Sequence, residues 1–180
     1  MRQHGYTFEV LAPPDNEPSL PAESTSPQEY AEAVSLFKAR SVATIAKGWI
    51  LAGDTVVAHG ARIFGKPADR GDARRMLQTL QATTQLVITG VTLLDTTTSN
   101  HLVRSESTSV VMKPMSNAVI ESYLDTNAWV GKAGAYGIQD EGDGFIERIE
   151  GSFTNVVGLP MDLVASLLSE WGYRPPTVSE

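Results

Sequence analysis

The chain reads as a single α/β domain, and three observations predict this. Its 180 residues are 42% hydrophobic and 19% charged, enough apolar material for one proper core. Runs of branched and aromatic residues that read as strands alternate with segments of helical period, and no linker divides them. Hairpin-like and helix-connected strands both occur, which predicts a mixed sheet flanked by helices rather than a purely parallel one.

Taken in order, Tyr6 to Leu11 alternates aromatic and branched residues like a strand, and Pro13-Pro14-Asp15 breaks it into a loop reaching about Thr25. Ser26 as N-cap, Pro27 at the first helical position and Glu29 as a capping-box carboxylate predict a helix to about Ala46. Tyr30, Val34, Phe37 and Ile45 mark its apolar face, and Lys38 falls at the edge of that stripe, a position that needs a reason. Trp49 to Val57 reads as a buried strand interrupted by Gly53-Asp54-Thr55, and Gly60 to Pro67 as a turn-rich connection. Ala73, Met76, Leu77 and Leu80 have amphipathic helical spacing. Gln85 to Leu94 and Leu102 to Met112 are β-rich runs around the polar segment Asp95 to Asn100, which predicts a hairpin or long strand pair. Ser116 caps a helix carrying Val119, Ile120, Tyr123 and Leu124 inward. A glycine-rich loop spans Gly131 to Gly144, and Phe145 to Ile149 is a short strand. Pro160 opens a last helix that buries Val164, Leu167, Leu168 and Trp171, with Gly172 as a left-handed cap. The domain is thus expected over residues 1–173, with 174–180 a disordered tail.

Composition excludes several classes of function. Fourteen Lys and Arg against 21 Asp and Glu give a formal charge of -7, which argues against a nucleic-acid partner. A small anionic ligand stays possible, because a few placed cations and a metal can reverse the field inside one cleft. With no cysteine, a disulfide framework, a thiolate metal site and a cysteine nucleophile are all excluded. Met1 to Gly5 turns polar at once and lacks a secretory pattern, and no apolar stretch approaches the roughly 20 residues that span a bilayer. The expectation is a cytoplasmic protein with no membrane partner.

Gly60-Ala61-Arg62-Ile63-Phe64-Gly65-Lys66-Pro67 nearly matches a phosphate-binding loop, but Pro67 stands where a magnesium-binding hydroxyl and a backbone N–H are needed. Spacing alone therefore favours a glycine turn with a solvated Lys66. Gly131, Gly134 and Gly137 have the wrong spacing for a dinucleotide fingerprint. His4, His59 and His101 show no metal-ligand spacing, and no Gly-x-Ser-x-Gly elbow occurs. Asp54 is more informative: a carboxylate between Trp49-Ile50-Leu51-Ala52 and Val56-Val57 must be paired, metal-bound or shifted in pKa. A carboxylate that bonds a nearby backbone turn accounts for it equally well. If a metal binds, the oxygens of Asp54 and Glu17 favour magnesium or manganese over zinc.

Together these segments resemble the Maf-like nucleotide pyrophosphatases. Leu51-Ala52-Gly53-Asp54-Thr55-Val56-Val57 is similar to that family's Ala-Asp-Thr-Val-Val motif, with Gly53 for its usual alanine. Gly65-Lys66-Pro67, Thr89-Gly90-Val91, Lys132 to Gln139 and Asn155 to Pro160 match further motifs in the right order. The resemblance implies an elongated mixed sheet flanked by helices, two lobes around a nucleotide cleft of the Maf/ITPase-like kind, and commonly a homodimer. It implies hydrolysis of a nucleoside triphosphate, dTTP or UTP, to monophosphate and pyrophosphate, a house-cleaning reaction. By the same resemblance Asp54 activates the water, with Glu17 and Asp54 around a divalent cation, Mg2+ or Mn2+. Lys38, Lys66 and Lys132 correspond to cations around the triphosphate, and Thr55 and Gln139 to positions that select the base.

The resemblance fails at the beginning of the chain and at two later positions. Relatives start with an apolar strand and a Ser-x-Ser-Pro-Arg-Arg loop, whereas this chain opens near the end of the next helix. The loss would remove bidentate anion contacts and leave an edge or gap in the sheet. A start codon assigned too far downstream is the expected explanation. Gly131 replaces a common aspartate, and Asp140 follows Gln139 where glycine is usual. The rival readings are a catalytically impaired nucleotide-binding or division-regulating protein, and an interaction domain in which Lys38 and Asp54 form a buried ion pair.

Overall fold

A computed structural model describes residues 1–2, 5–18, 25–138 and 144–173. His4, Gln139, Asp140 and the expected tail 174–180 lie outside the described residues. Ten elements carry the fold: α1 Pro27–Val42, β1 Trp49–His59, β2 Arg62–Phe64, α2 Arg70–Leu80, β3 Thr84–Asp95, β4 His101–Met112, α3 Asn117–Asp125, β5 Ile146–Glu150, α4 Phe153–Val157 and α5 Met161–Glu170. The strands form one sheet in the order β2-β1-β3-β4-β5. The α/β class holds; every pairing among the described residues is antiparallel, so the mixture lies in helices around the sheet and not in strand direction.

Alternation along the strands sorts the helices by face. Ile50, Val56, Ala58, Ile88 and Leu94 point to one face and pack with Ala31, Ala39 and Val42 of α1. Val57, Val87 and Val110 point to the other, where α2 and α3 bury Leu77, Leu80, Ile120 and Leu124. Val91 and Leu93 lie farther along that second face under Val164, Leu167 and Leu168 of α5. The short helix α4 sits between these two clusters, pinned by the buried Asn155 amide, which donates to the Val87 carbonyl and to Thr108 Oγ1, both at 3.0 Å. Asp54 and Thr55, as neighbours on one strand, therefore face opposite sides of the sheet.

Several local expectations hold. Ser26 and Glu29 form the capping box, Ser116 caps α3, β3 and β4 form the long hairpin, and Gly172 is left-handed with φ 79 after α5. Others need correcting. Tyr6 to Leu11 forms no strand and joins no ladder among the described residues, and only Tyr6 of it is buried. Its alternation reads as a strand, yet a strand needs a partner for its backbone groups. The helix α1 ends at Val42, four residues early, and its buried stripe is Ala31, Val34, Ser35, Ala39 and Val42; Ile45 is exposed beyond the helix. Val119 is exposed as well. Gly53-Asp54-Thr55 does not interrupt β1, which runs unbroken through it.

The ladder between β1 and β2 covers only Val57 to His59, so the edge of β1 from Trp49 to Val56 pairs with β3 alone. A cavity of about 520 Å³ is lined by that edge and by the segment around Phe8, Val10 and Leu11.

Candidate active site

Around the uncovered edge of β1 lies a second cavity, of about 290 Å³, which takes residues from both faces of the sheet. Lys38 and Asp54 reach it from the α1 side, and Thr55, Val57 and Val87 from the other. Lys66 comes from the turn after β2, Lys132, Tyr136 and Ile138 from the glycine-rich segment, and Val156 to Gly158 from the end of α4. The lining thus combines three lysines and a carboxylate with the apolar side chains Val57, Val87, Ile138, Val156 and Val157.

Two close approaches position Lys38 and Lys132. Gly90 stands opposite Asp54 in the β1/β3 ladder, and a Cβ there would lie 2.3 Å from the Ala31 carbonyl oxygen of α1. Only glycine lets the helix backbone settle onto the sheet at this point, and Lys38 follows two turns later on the same side. Lys38 Nζ donates to Asp54 Oδ1 at 2.6 Å and lies 3.0 Å from Glu17 Oε1. Lys66 Nζ donates to the same Glu17 oxygen at 3.4 Å. Glu17 is held in reach because Asp15, two residues earlier, is tied to α1: Ser41 Oγ donates to Asp15 Oδ2 at 2.7 Å and accepts from the Asp15 N–H at 3.2 Å. The second close approach is at Gly137, where a Cβ would fall 2.7 Å from Lys132 Nζ, so the Lys132 side chain lies across bare backbone.

Asp54 is only 9% exposed, and its hydrogen bond goes to Lys38 rather than to a backbone turn. Burial pushes its carboxyl above the ordinary value of 3.8, and the Lys38 ammonium pulls part of that shift back. Burial opposes the charge on Lys38 too, but Asp54 and Glu17 outweigh it and hold the ammonium above 10.5. The half-exposed Glu17 is also penalised by burial, yet Lys38 and Lys66 bring its carboxyl below 4.5. The site thus contains an ionised lysine shared by two carboxylates, one buried and one open to solvent.

Thr55 Oγ1 lies 2.8 Å from Thr89 Oγ1. Tyr136 is buried against Gln85, whose amide donates to its hydroxyl at 3.3 Å, and burial pushes the phenol up to about 12, so it stays neutral.

A family model described as Maf-like protein matches residues 1–171. The chain belongs to the Maf-like family. Among its Maf-like relatives, a dTTP/UTP pyrophosphatase of Pelotomaculum thermopropionicum is 38% identical over 175 residues, 97% of this chain and 91% of that protein. One of Carboxydothermus hydrogenoformans is 41% identical over 167 residues, 92% of this chain and 88% of the relative. A third, from Rhodospirillum rubrum, is 40% identical over 176 residues, 97% and 83% of the two chains.

Of the residues singled out in the sequence, the structure brings Glu17, Lys38, Asp54, Thr55, Lys66 and Lys132 to one place; Gln139 lies outside the described residues. Sequence reasoning missed the tether from Asp15 to Ser41 and the amide of Asn155. Asn155 had a signal, an amide ahead of two valines that must spend its hydrogen bonds inside the fold; Asp15 had none, because its partner is 26 residues away.

Proposed function

We propose that this chain hydrolyses nucleoside triphosphates, dTTP and UTP foremost, to the monophosphate and pyrophosphate, clearing unwanted nucleotides from the cytoplasm. The observation that carries this reading is one cavity in which Lys38, Lys66 and Lys132 gather beside a buried carboxylate. In a chain of net charge -7, three ammonium groups in one cleft create a local positive field suited to a polyanion. The pyrophosphatases of the family, at 38% to 41% identity, supply the nucleotide class.

Attack of water on the α-phosphorus places charge on the phosphate oxygens and on departing pyrophosphate. Lys38, Lys66 and Lys132 are the groups that would stabilise it. Asp54 would take the water's proton: its carboxyl is raised by burial, which strengthens it as a base, while the Lys38 ammonium favours its ionised form and fixes its direction. Glu17 would steady Lys38 and Lys66 together. Oxygen donors of the kind magnesium takes are present in Glu17 and Asp54. Among the described residues no three His, Asp or Glu side chains cluster as a metal cage, and the point on which Glu17 and Asp54 converge is the Lys38 ammonium; magnesium, which commonly takes one or two carboxylates and completes its shell from phosphates and water, would have to take these oxygens in exchange for that contact. Bound by Glu17 and Asp54, it would supply Lewis-acid stabilisation of the phosphate charge. Thr55 and Gln139 would read the base, and the active species would be a homodimer of single-domain chains.

The test is pyrophosphate release from dTTP and UTP with and without magnesium, in the wild type and Asp54→Asn. Loss of turnover by about 10²- to 10⁴-fold in the variant is expected. The Lys38–Asp54 ion pair also suits a plain interaction domain. That second reading predicts that no nucleotide shifts the melting temperature, and that Asp54→Asn acts only on stability.

A further inference from the structure

Thr55 brings a hydroxyl to the cavity, and behind it lies one that no ligand can reach. Thr89 stands opposite Thr55 in the β1/β3 ladder and is fully buried. Besides their mutual contact of 2.8 Å, Thr89 Oγ1 lies 3.3 Å from the Asn155 carbonyl oxygen and Thr55 Oγ1 lies 3.4 Å from that of Gly158. Both carbonyls belong to the end of α4, which the Asn155 amide locks to β3 and β4.

A hydroxyl has one proton to donate and two lone pairs with which to accept. Two arrangements use the short contact together with a carbonyl. Either Thr89 donates to Asn155 while Thr55 donates to Thr89, or Thr89 donates to Thr55 while Thr55 donates to Gly158. In both, each proton turns into the protein, and Thr55 meets the cavity with a lone pair. Resting on the pyrophosphatase reading, we infer that Thr89 is a positioning residue for base selection: it holds the Thr55 hydroxyl as an acceptor, which favours a base whose ring carries an N–H. Uracil and thymine have that donor at N3, whereas cytosine presents a lone pair there, and two lone pairs repel.

The test compares kcat and KM for UTP and CTP in the full chain as wild type, Thr89→Val, Thr89→Ser, Thr55→Val and the double valine variant. Valine keeps the volume of Thr89 but removes the 2.8 Å partner, so only the longer 3.4 Å contact to the Gly158 carbonyl still holds the Thr55 proton inward. The UTP-to-CTP ratio of kcat/KM then falls by about tenfold, chiefly through better use of CTP, and serine restores it. In the Thr55→Val background, adding Thr89→Val leaves the ratio where it was, because the second residue acts through the first. An unchanged ratio in Thr89→Val, or an equal loss on both nucleotides with a lowered melting temperature, overturns the inference and leaves the pyrophosphatase reading standing. A wild type that releases no pyrophosphate from any triphosphate overturns both.

Discussion

Lys38 serves two carboxylates at once, which makes it the residue that sets how the site responds to pH. Its pKa in the fold lies above 10.5, so the stability it contributes is complete below pH 10.5 and is lost as pH rises through the raised value. Glu17 is lowered below 4.5 and contributes stability above pH 4.5 that disappears as pH falls through its folded value. Asp54 has the opposite sign: burial raises it above 3.8, so its ionised form costs stability at neutral pH and acidification removes that cost. Urea midpoints taken across the pH range should therefore drop on the alkaline side in the wild type, and the drop should flatten in Lys38→Met. That substitution leaves two carboxylates facing each other, and a loss of about 3 kcal/mol at neutral pH is expected from urea titration. Activity carries an independent signature. With its hydrogen-bonded cation gone, Asp54 should titrate higher, and the acid limb of kcat/KM should move to higher pH in Lys38→Met than in the wild type.

Among the elements, α1 decides whether the site assembles, because it alone carries Lys38 to the sheet. Gly90→Ala would press a methyl group onto the Ala31 carbonyl, backbone against backbone with no flexible side chain to yield. A destabilisation of about 3 kcal/mol by urea titration is expected, with kcat falling further than stability explains. Ser26→Ala, which removes the capping box at the far end of the same helix, should cost about 1 kcal/mol and leave KM unchanged. The contrast between these positions also explains what could be read from the sequence. Ser26, Pro27 and Glu29 act on backbone groups three residues away, so the start of α1 was legible in the sequence. Its buried stripe was not, because it is built of small residues whose partners lie far along the chain: Ala31 settles against Gly90, Ser35 bonds Thr92 and Ala39 packs with Ile50 and Leu94. Tyr6 to Leu11 erred the other way, since alternation reports one face of a strand and says nothing about a ladder partner. The three-residue β2 and five-residue α4 are too short for either period to register.

At the scale of the whole molecule, one antiparallel sheet separates α1 from α4 and α5, and the site sits where β1 is uncovered and both faces can be reached. Asp54 and Thr55, adjacent in sequence and opposed in direction, therefore line one cavity from two sides. The candidate residues could be picked out through ordered motifs; their convergence could not, because Glu17, Lys38, Asp54, Lys66 and Lys132 come from five separate segments. The central claim is that Asp54 is a reactive carboxylate held by Lys38, and not merely half of a structural ion pair. Single-turnover pyrophosphate release from UTP with magnesium, in wild type and Asp54→Asn matched for nucleotide affinity by a thermal-shift titration, tests it most directly. The account predicts nucleotide binding in both proteins and release in the wild type alone; equal release from both, or binding by neither, would contradict it.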